Sequence, residues 1–321
     1  MQDNPYASVP EDMAVTAAAA SFVETVTYKD IPEDAIHLGM RCVLDGMGLF
    51  VSGADEPTVR ILAEDARQQG GNPEARLLGC GDARVPAALA ARVLGTSGHA
   101  HDWDDCQVSE DPDHVYGLLT HPTIAPLSAA IAVTQKIAGV TGKDFLLGFL
   151  TGFEVECKIS EWMLSQHYKS GKHSSGTVGT FGAYAAAAKL LGLTGDALRW
   201  GFGISASMAS GIRVNFGTMT KPFHVGRAAE NGVTAATLAS FTKRTAWRTV
   251  SSGVTWKLPN GISAMIGTPG CARATALQWC TMSSMVTGSV LSLPCSTMPS
   301  ESPTKITSIP EASTSPAKVA S

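Results

Sequence analysis

Apolar residues recur at helical spacing from about residue 12 to about residue 240, and strand-like alternation is scarce there. Residues 12–28 place Val15, Ala19, Phe22 and Val26 on one face, and residues 33–51 repeat the pattern through Ile36, Met40, Val43, Met47 and Phe50. Residues 57–69 are amphipathic, with Glu64, Asp65 and Arg67 on the polar side, and a further helix ends near Leu94. Residues 122–137 open with Pro122, which suits a first helical turn because an N–H there would lack a helical acceptor anyway. Residues 143–165, 178–191 and 195–208 follow, the first and last introduced by Thr-Gly turns. Alanine and glycine occupy more than one face of several helices, which allows close packing in a bundle. The pattern predicts a mainly α fold.

The helical period fades near residue 240. Residues 241–321 hold 14 Ser and 12 Thr, five late prolines from Pro294 to Pro316, and neither Asp nor His. Their charge balance is 7 − 2 = +5, against 17 − 26 = −9 for residues 1–240. Such composition buries little apolar area, so low order is expected from about residue 285, with short strands at 254–258 and 262–266. The expected organisation is a helical domain over 1–240 and a degenerate or poorly ordered segment over 241–321.

Composition narrows the function classes. An apolar content of 44% with 16% charged residues suits a heavily buried or oligomeric protein, and a net charge of −4 offers no basic stripe for nucleic acid. Seven cysteines without C-x-x-C spacing indicate neither a disulfide framework nor a zinc ribbon, and read as thiols in a reducing compartment. The start lacks a signal-peptide pattern, and no run reaches the roughly 18 uninterrupted apolar residues of a membrane span. A soluble, cytoplasmic protein is expected, with no membrane partner.

The polar chemistry gathers in three blocks: 98–105, 172–180 and 219–227. In the first, Asp102, Asp104 and Asp105 are open to three uses: binding a metal, holding a histidine, or capping a helix. Histidines at i,i+4 and a glycine-bearing calcium loop are both lacking, so no metal is expected. His121, just before a helix start, is placed to meet an anion, because free N–H groups and the helix dipole favour negative charge there. The second block, with His173 and Thr177, reads as a glycine-containing turn that either cradles a carboxylate or caps the next helix. It is not a Walker loop, since the Gly-Lys-Ser/Thr ending is absent. In the third, Pro222 biases Lys221 to extended geometry, and His224 and Arg227 follow it. A surface lysine is one use of Lys221, and a cationic clamp on a multiply charged acid is the other. Together the blocks indicate proton transfer on a small carboxylic acid without a nucleotide cofactor.

The wording of the blocks resembles the MmgE/PrpD family. His101-Asp102-Trp103-Asp104-Asp105 followed by His121-Pro122 is similar to its H-x-(L/M)-D-(F/Y)-D-D…H-P signature. Residues 172–179 resemble its (G/R)-F-H-x-(T/S)-G-T-x-G turn, and residues 220–232 its T-K-P-(L/F)-H-x-G-R-A-A-x-N-G motif. The resemblance covers roughly residues 10–240. It implies an all-helical domain joined to an α+β lid, a homodimer, and a cofactor-free lyase that dehydrates or decarboxylates a citrate-, aconitate- or methylcitrate-like acid. Asp102, His121, His173 and Lys221 match catalytic positions, and Cys106, Thr177, His224 and Arg227 are the expected substrate contacts. Cys106 stands where relatives have Thr, the loop before His121 is longer, and the wording of residues 117–122 resembles an epimerase-like branch more than the dehydratase branch. Residues 241–321 do not resemble the lid and look like translation in a shifted frame or through a retained intron. An epimerase of the iminodisuccinate type and an inactive dimerising scaffold are therefore the alternatives to a lyase.

Overall fold

The computed structural model describes residues 15–108 and 118–241, and these are mainly α. Helix α1 (Val15–Thr25) leads through a 3-10 turn at Tyr28–Asp30 to α2 (Glu33–Gly53) and α3 (Pro57–Gln69). A two-residue ladder of β1 (Ala75–Arg76) and β2 (Arg84–Val85) precedes α4 (Ala87–Gly98). A second antiparallel ladder pairs β3 (Gln107–Val108) with β4 (Leu118–Thr120), with Gln107 opposite Thr120. Then come α5 (Ile124–Lys136), α6 (Gly142–Lys169), α7 (Ser174–Leu190), α8 (Gly195–Met208), a 3-10 turn at Arg213–Asn215, and α9 (Thr220–Phe241). The expected strands at 254–258 and 262–266, the expected low order from about 285 and the frame-shifted tail all lie outside the described residues.

Helix α7 is the centre of the bundle, buried on every side from Ser174 to Ala188, and it packs against α5, α6 and α9. A helix surrounded in this way needs small residues all round. A Cβ at Gly232 of α9 would lie 2.5 Å from the backbone nitrogen of Tyr184, and one at Gly95 of α4 only 2.8 Å from Gly226 Cα. Helices α4, α7 and α9 therefore meet backbone to backbone, which fixes the relative positions of their ends.

Two sequence expectations need correction. Residues 174–177 are not a turn before a helix at 178; they are the first turn of α7 itself. Gly176 and Gly179 mark close packing here, since a Cβ would approach Ser210 O to 2.8 Å and Ala125 Cβ to 3.1 Å respectively. Lys221 is not extended before Pro222 but belongs to the first turn of α9. Proline is tolerated there because first-turn N–H groups have no intrahelical acceptor. Helix α2 is also long and apolar enough, by length and composition alone, to cross a membrane, although no uninterrupted apolar run marks it. It packs against α4 through Phe50 and Gly53, turns Gly46 toward α5 and leaves Leu44 and Val51 exposed.

Candidate active site

Four chain segments end at one place. His99 is the C-cap residue of α4, His121 follows β4, His173 is the N-cap residue of α7, and Lys221 and His224 lie in the first turns of α9. Two helix N-termini thus face the same volume, each at the positive end of its helix dipole.

After α4 the chain turns sharply, with Asp102 N–H donating to His99 O at 3.3 Å. Asp102 has φ of 59°, the left-handed region that aspartate tolerates better than most side chains. This turn brings the Asp102 carboxylate to Lys221, with Oδ1 2.5 Å from Nζ, while the same oxygen lies 3.7 Å from both His99 Nε2 and His121 Nε2. Fully buried Asp104 accepts a hydrogen bond from His99 Nδ1, its two oxygens at 2.8 and 2.9 Å. His99 Nε2 is buried and has no hydrogen-bond partner among the described residues.

His121 is held through both its backbone and its ring. Its backbone N–H donates to Ser175 Oγ at 3.0 Å. Its Nδ1 lies 3.1 Å from Asp105 O and 3.7 Å from Cys106 Sγ. The carbonyl can only accept, so Nδ1 carries a proton. His173 is tied by its N–H to Gly211 O at 3.1 Å, and its Nδ1 lies 3.1 Å from His224 Nδ1. Phe216 meets the His173 ring edge-on at 4.9 Å and lies 5.0 Å from the Lys221 ammonium.

Beneath this cluster lie two buried carboxyls. Glu156 of α6 accepts the Thr120 hydroxyl at 2.7 Å through Oε1, and its Oε2 has no hydrogen-bond partner among the described residues. Asp105 accepts the Thr123 hydroxyl at 2.9 Å.

Charge is unevenly distributed. Burial, reinforced by neighbouring carboxylates, pushes Glu156 up to about 8 and Asp105 up to about 7. Burial also opposes ionisation of Asp104 and Asp102. It is outweighed at Asp104 by His99 and His121, and at Asp102 by His99, Lys221 and His121, so both stay below the ordinary carboxylate range. At His121 the burial penalty is outweighed by Asp104, Cys106 and Asp102, and the imidazole rises to about 10. At His173 burial and the surrounding cationic groups act together and drive the imidazole far down. One histidine is thus a stable cation and the other a neutral ring.

His99, Asp102, Asp104 and His121 also have the donor types of a metal site, with one ligand atom from each within 4.8 Å of the others. The lysine ammonium already sits against Asp102 and would repel a second cation there.

Of the residues singled out in the sequence, Asp102, Cys106, His121, His173, Lys221 and His224 come together. Thr177 and Arg227 do not join them. The Thr177 hydroxyl lies 3.1 Å from His173 O, which it donates to, and 2.7 Å from His167 Nε2. Arg227 pairs with Glu230 at 2.8 Å, and Glu230 approaches Arg92, which pairs in turn with Asp65 of α3. Six residues on a helix turn Arg227 about 120° away from Lys221.

His99, Glu156, Asn215 and Phe216 join the site without having been singled out in the sequence, and Asp104 takes one of the uses open to it, holding a histidine. The signature aligned on His101 belongs two residues earlier, because His99 enters the site whereas His101 stacks on exposed Trp103 at 4.5 Å. Read from His99, the spacing H-x-x-D-x-D-D fits the motif.

The sequence matches one family of proteins and several known enzymes. The MmgE/PrpD N-terminal domain matches residues 17–243. The chain is 29% identical over 227 residues to human cis-aconitate decarboxylase, covering 70% of this chain and 46% of that protein. It is 28% identical over 230 residues to the mouse enzyme of the same name, and 28% identical over 227 residues to that of Aspergillus terreus, covering 70% of this chain and 45% of each relative. The chain therefore spans a little under half the length of these curated relatives.

Proposed function

The chain belongs to the MmgE/PrpD family, and from that premise we propose that its site decarboxylates a small unsaturated tricarboxylic acid of the cis-aconitate type. The observation that carries the reading is the joining of a helix-end anion site to one cationic and one neutral imidazole, with Lys221 poised on Asp102. A polyanion is met by the Lys221 ammonium and by the N-termini of α7 and α9.

In the reaction the carbon–carbon bond to one carboxylate breaks and carbon dioxide leaves. The electron pair released shifts along the adjacent double bond, and the far carbon takes up a proton. His121, cationic through the neutral range, supplies that proton from Nε2 and is then reprotonated from water. Asp104 and Asp102 stabilise its charged form, while Lys221 offsets the negative charge that builds up before protonation. One proton is consumed per carbon dioxide released, so a trianion yields a dianion.

Calorimetric titration of the chain with cis-aconitate tests the recognition step. Saturable binding, weakened at least tenfold in Lys221→Met, is expected. Absence of binding, or equal binding by the variant, would overturn the reading.

A further inference from the structure

We propose that Asn215, acting through His224, holds His173 as its Nε2–H tautomer, so that His173 presents a neutral N–H donor to a substrate oxygen and is neither the acid nor the base of the site. In this assignment Asn215 and His224 are positioning residues. The inference rests on the proposed function for the identity of the ligand, whereas the tautomer is a property of the free protein.

The contacts fix the direction of the relay. The Asn215 amide Nδ2 lies 3.5 Å from His224 Nε2, and an amide nitrogen can only donate. His224 Nε2 is therefore the lone-pair nitrogen, and a neutral His224 carries its proton on Nδ1. That proton points to His173 Nδ1 at 3.1 Å. A hydrogen bond between two ring nitrogens holds one proton; two N–H groups would face each other hydrogen to hydrogen. His173 Nδ1 is thus the acceptor, and a neutral His173 has its proton on Nε2.

Surrounding groups disfavour the protonated form of both rings. His173 lies 5.6 Å from the His99 ring, measured between centroids, and is 3% exposed. Burial, followed by the nearby His99, Lys221 and His121, opposes its protonation, and burial and His99 oppose that of His224. Phe216 packs edge-on to the His173 ring, and the His173 backbone is tied to Gly211 O, so the ring has little freedom to flip. The Asn215 backbone is itself anchored, its main-chain carbonyl accepting from the Thr218 hydroxyl at 2.8 Å and the Thr218 N–H at 3.2 Å.

The chemical consequence is a division of labour. A neutral imidazole that lost its Nε2 proton would become an anion, which is far too costly beside no compensating acid. It can still stabilise an oxyanion by hydrogen bonding, with no proton changing hands. His121 is left as the proton source.

Nitrogen-15 NMR of the ligand-free chain, labelled at histidine, tests the assignment. Resonances of His173 and His224 are identified by their loss in His173→Gln and His224→Gln. The expected spectrum shows His173 protonated at Nε2 and bare at Nδ1, the reverse at His224, and no titration of His173 between pH 5.5 and 8.5, a range set about the ordinary histidine value near 6.5. Asn215→Asp supplies an acceptor instead of a donor and should invert both tautomers. A wild-type His173 carrying its proton on Nδ1, or titrating near neutrality, overturns the proposal whatever the variants do. Tautomers as assigned, without carbon dioxide release from cis-aconitate, would refute the proposed reaction and leave the relay standing. In turnover, His173→Gln should retain roughly tenfold more activity than His173→Ala, because the amide restores a neutral donor.

Discussion

Replacing Glu156 by Gln should change the pH dependence of stability more than stability itself. The glutamate is fully buried, its Oε1 accepts the Thr120 hydroxyl, and its carboxyl stays protonated in the fold up to about pH 8. In the unfolded chain the same group ionises near its ordinary value of 4.5. Between these values the native state binds one more proton than the unfolded state. Stability contributed by this group therefore falls as pH rises, by about 1.4 kcal/mol per pH unit. A glutamine keeps the acceptor for Thr120 and never ionises. From pH 5 to pH 7 the wild type should lose about 3 kcal/mol relative to the variant. Urea unfolding of both proteins at the two pH values measures this double difference, in which every other titrating group cancels. Parallel curves, with the same difference between the proteins at pH 5 and pH 7, would show that Glu156 is ionised in the fold.

Other consequences follow from the packing and the site. His121→Ala should lower turnover of cis-aconitate by roughly 10²–10⁴-fold, as expected for loss of a general acid. His37→Ala, at an exposed position on α2, should leave the rate unchanged in the same assay. Gly232→Ala should destabilise the chain by about 1–3 kcal/mol in urea unfolding, since its Cβ would press on the Tyr184 backbone nitrogen. Unaltered stability would mean that α9 and α7 are not in backbone contact.

Much of this architecture is legible in the chain because helices announce themselves locally. The ends of α3 and α8 fall where the apolar period and its flanking residues place them. The start of α7 does not, because Gly176 and Gly179 have the composition of a turn while serving the close approach of neighbouring helices. The site divides in the same way. His121, His173 and Lys221 stand in contiguous polar blocks, so their type and spacing are visible. Glu156 lies inside an apolar helix, and only the tertiary fold sets it against Thr120. Arg227 shows the opposite failure: it shares a motif with Lys221, but helical rotation directs it to Glu230.

Carbon dioxide release from cis-aconitate by the purified chain, followed together with the organic product, tests the proposed reaction most directly. We predict carbon dioxide and a five-carbon unsaturated dicarboxylate in equal amounts, with the rate abolished in Lys221→Met. Hydration to a citrate without carbon dioxide, solvent deuterium incorporation without loss of carbon, or no reaction at all would contradict it.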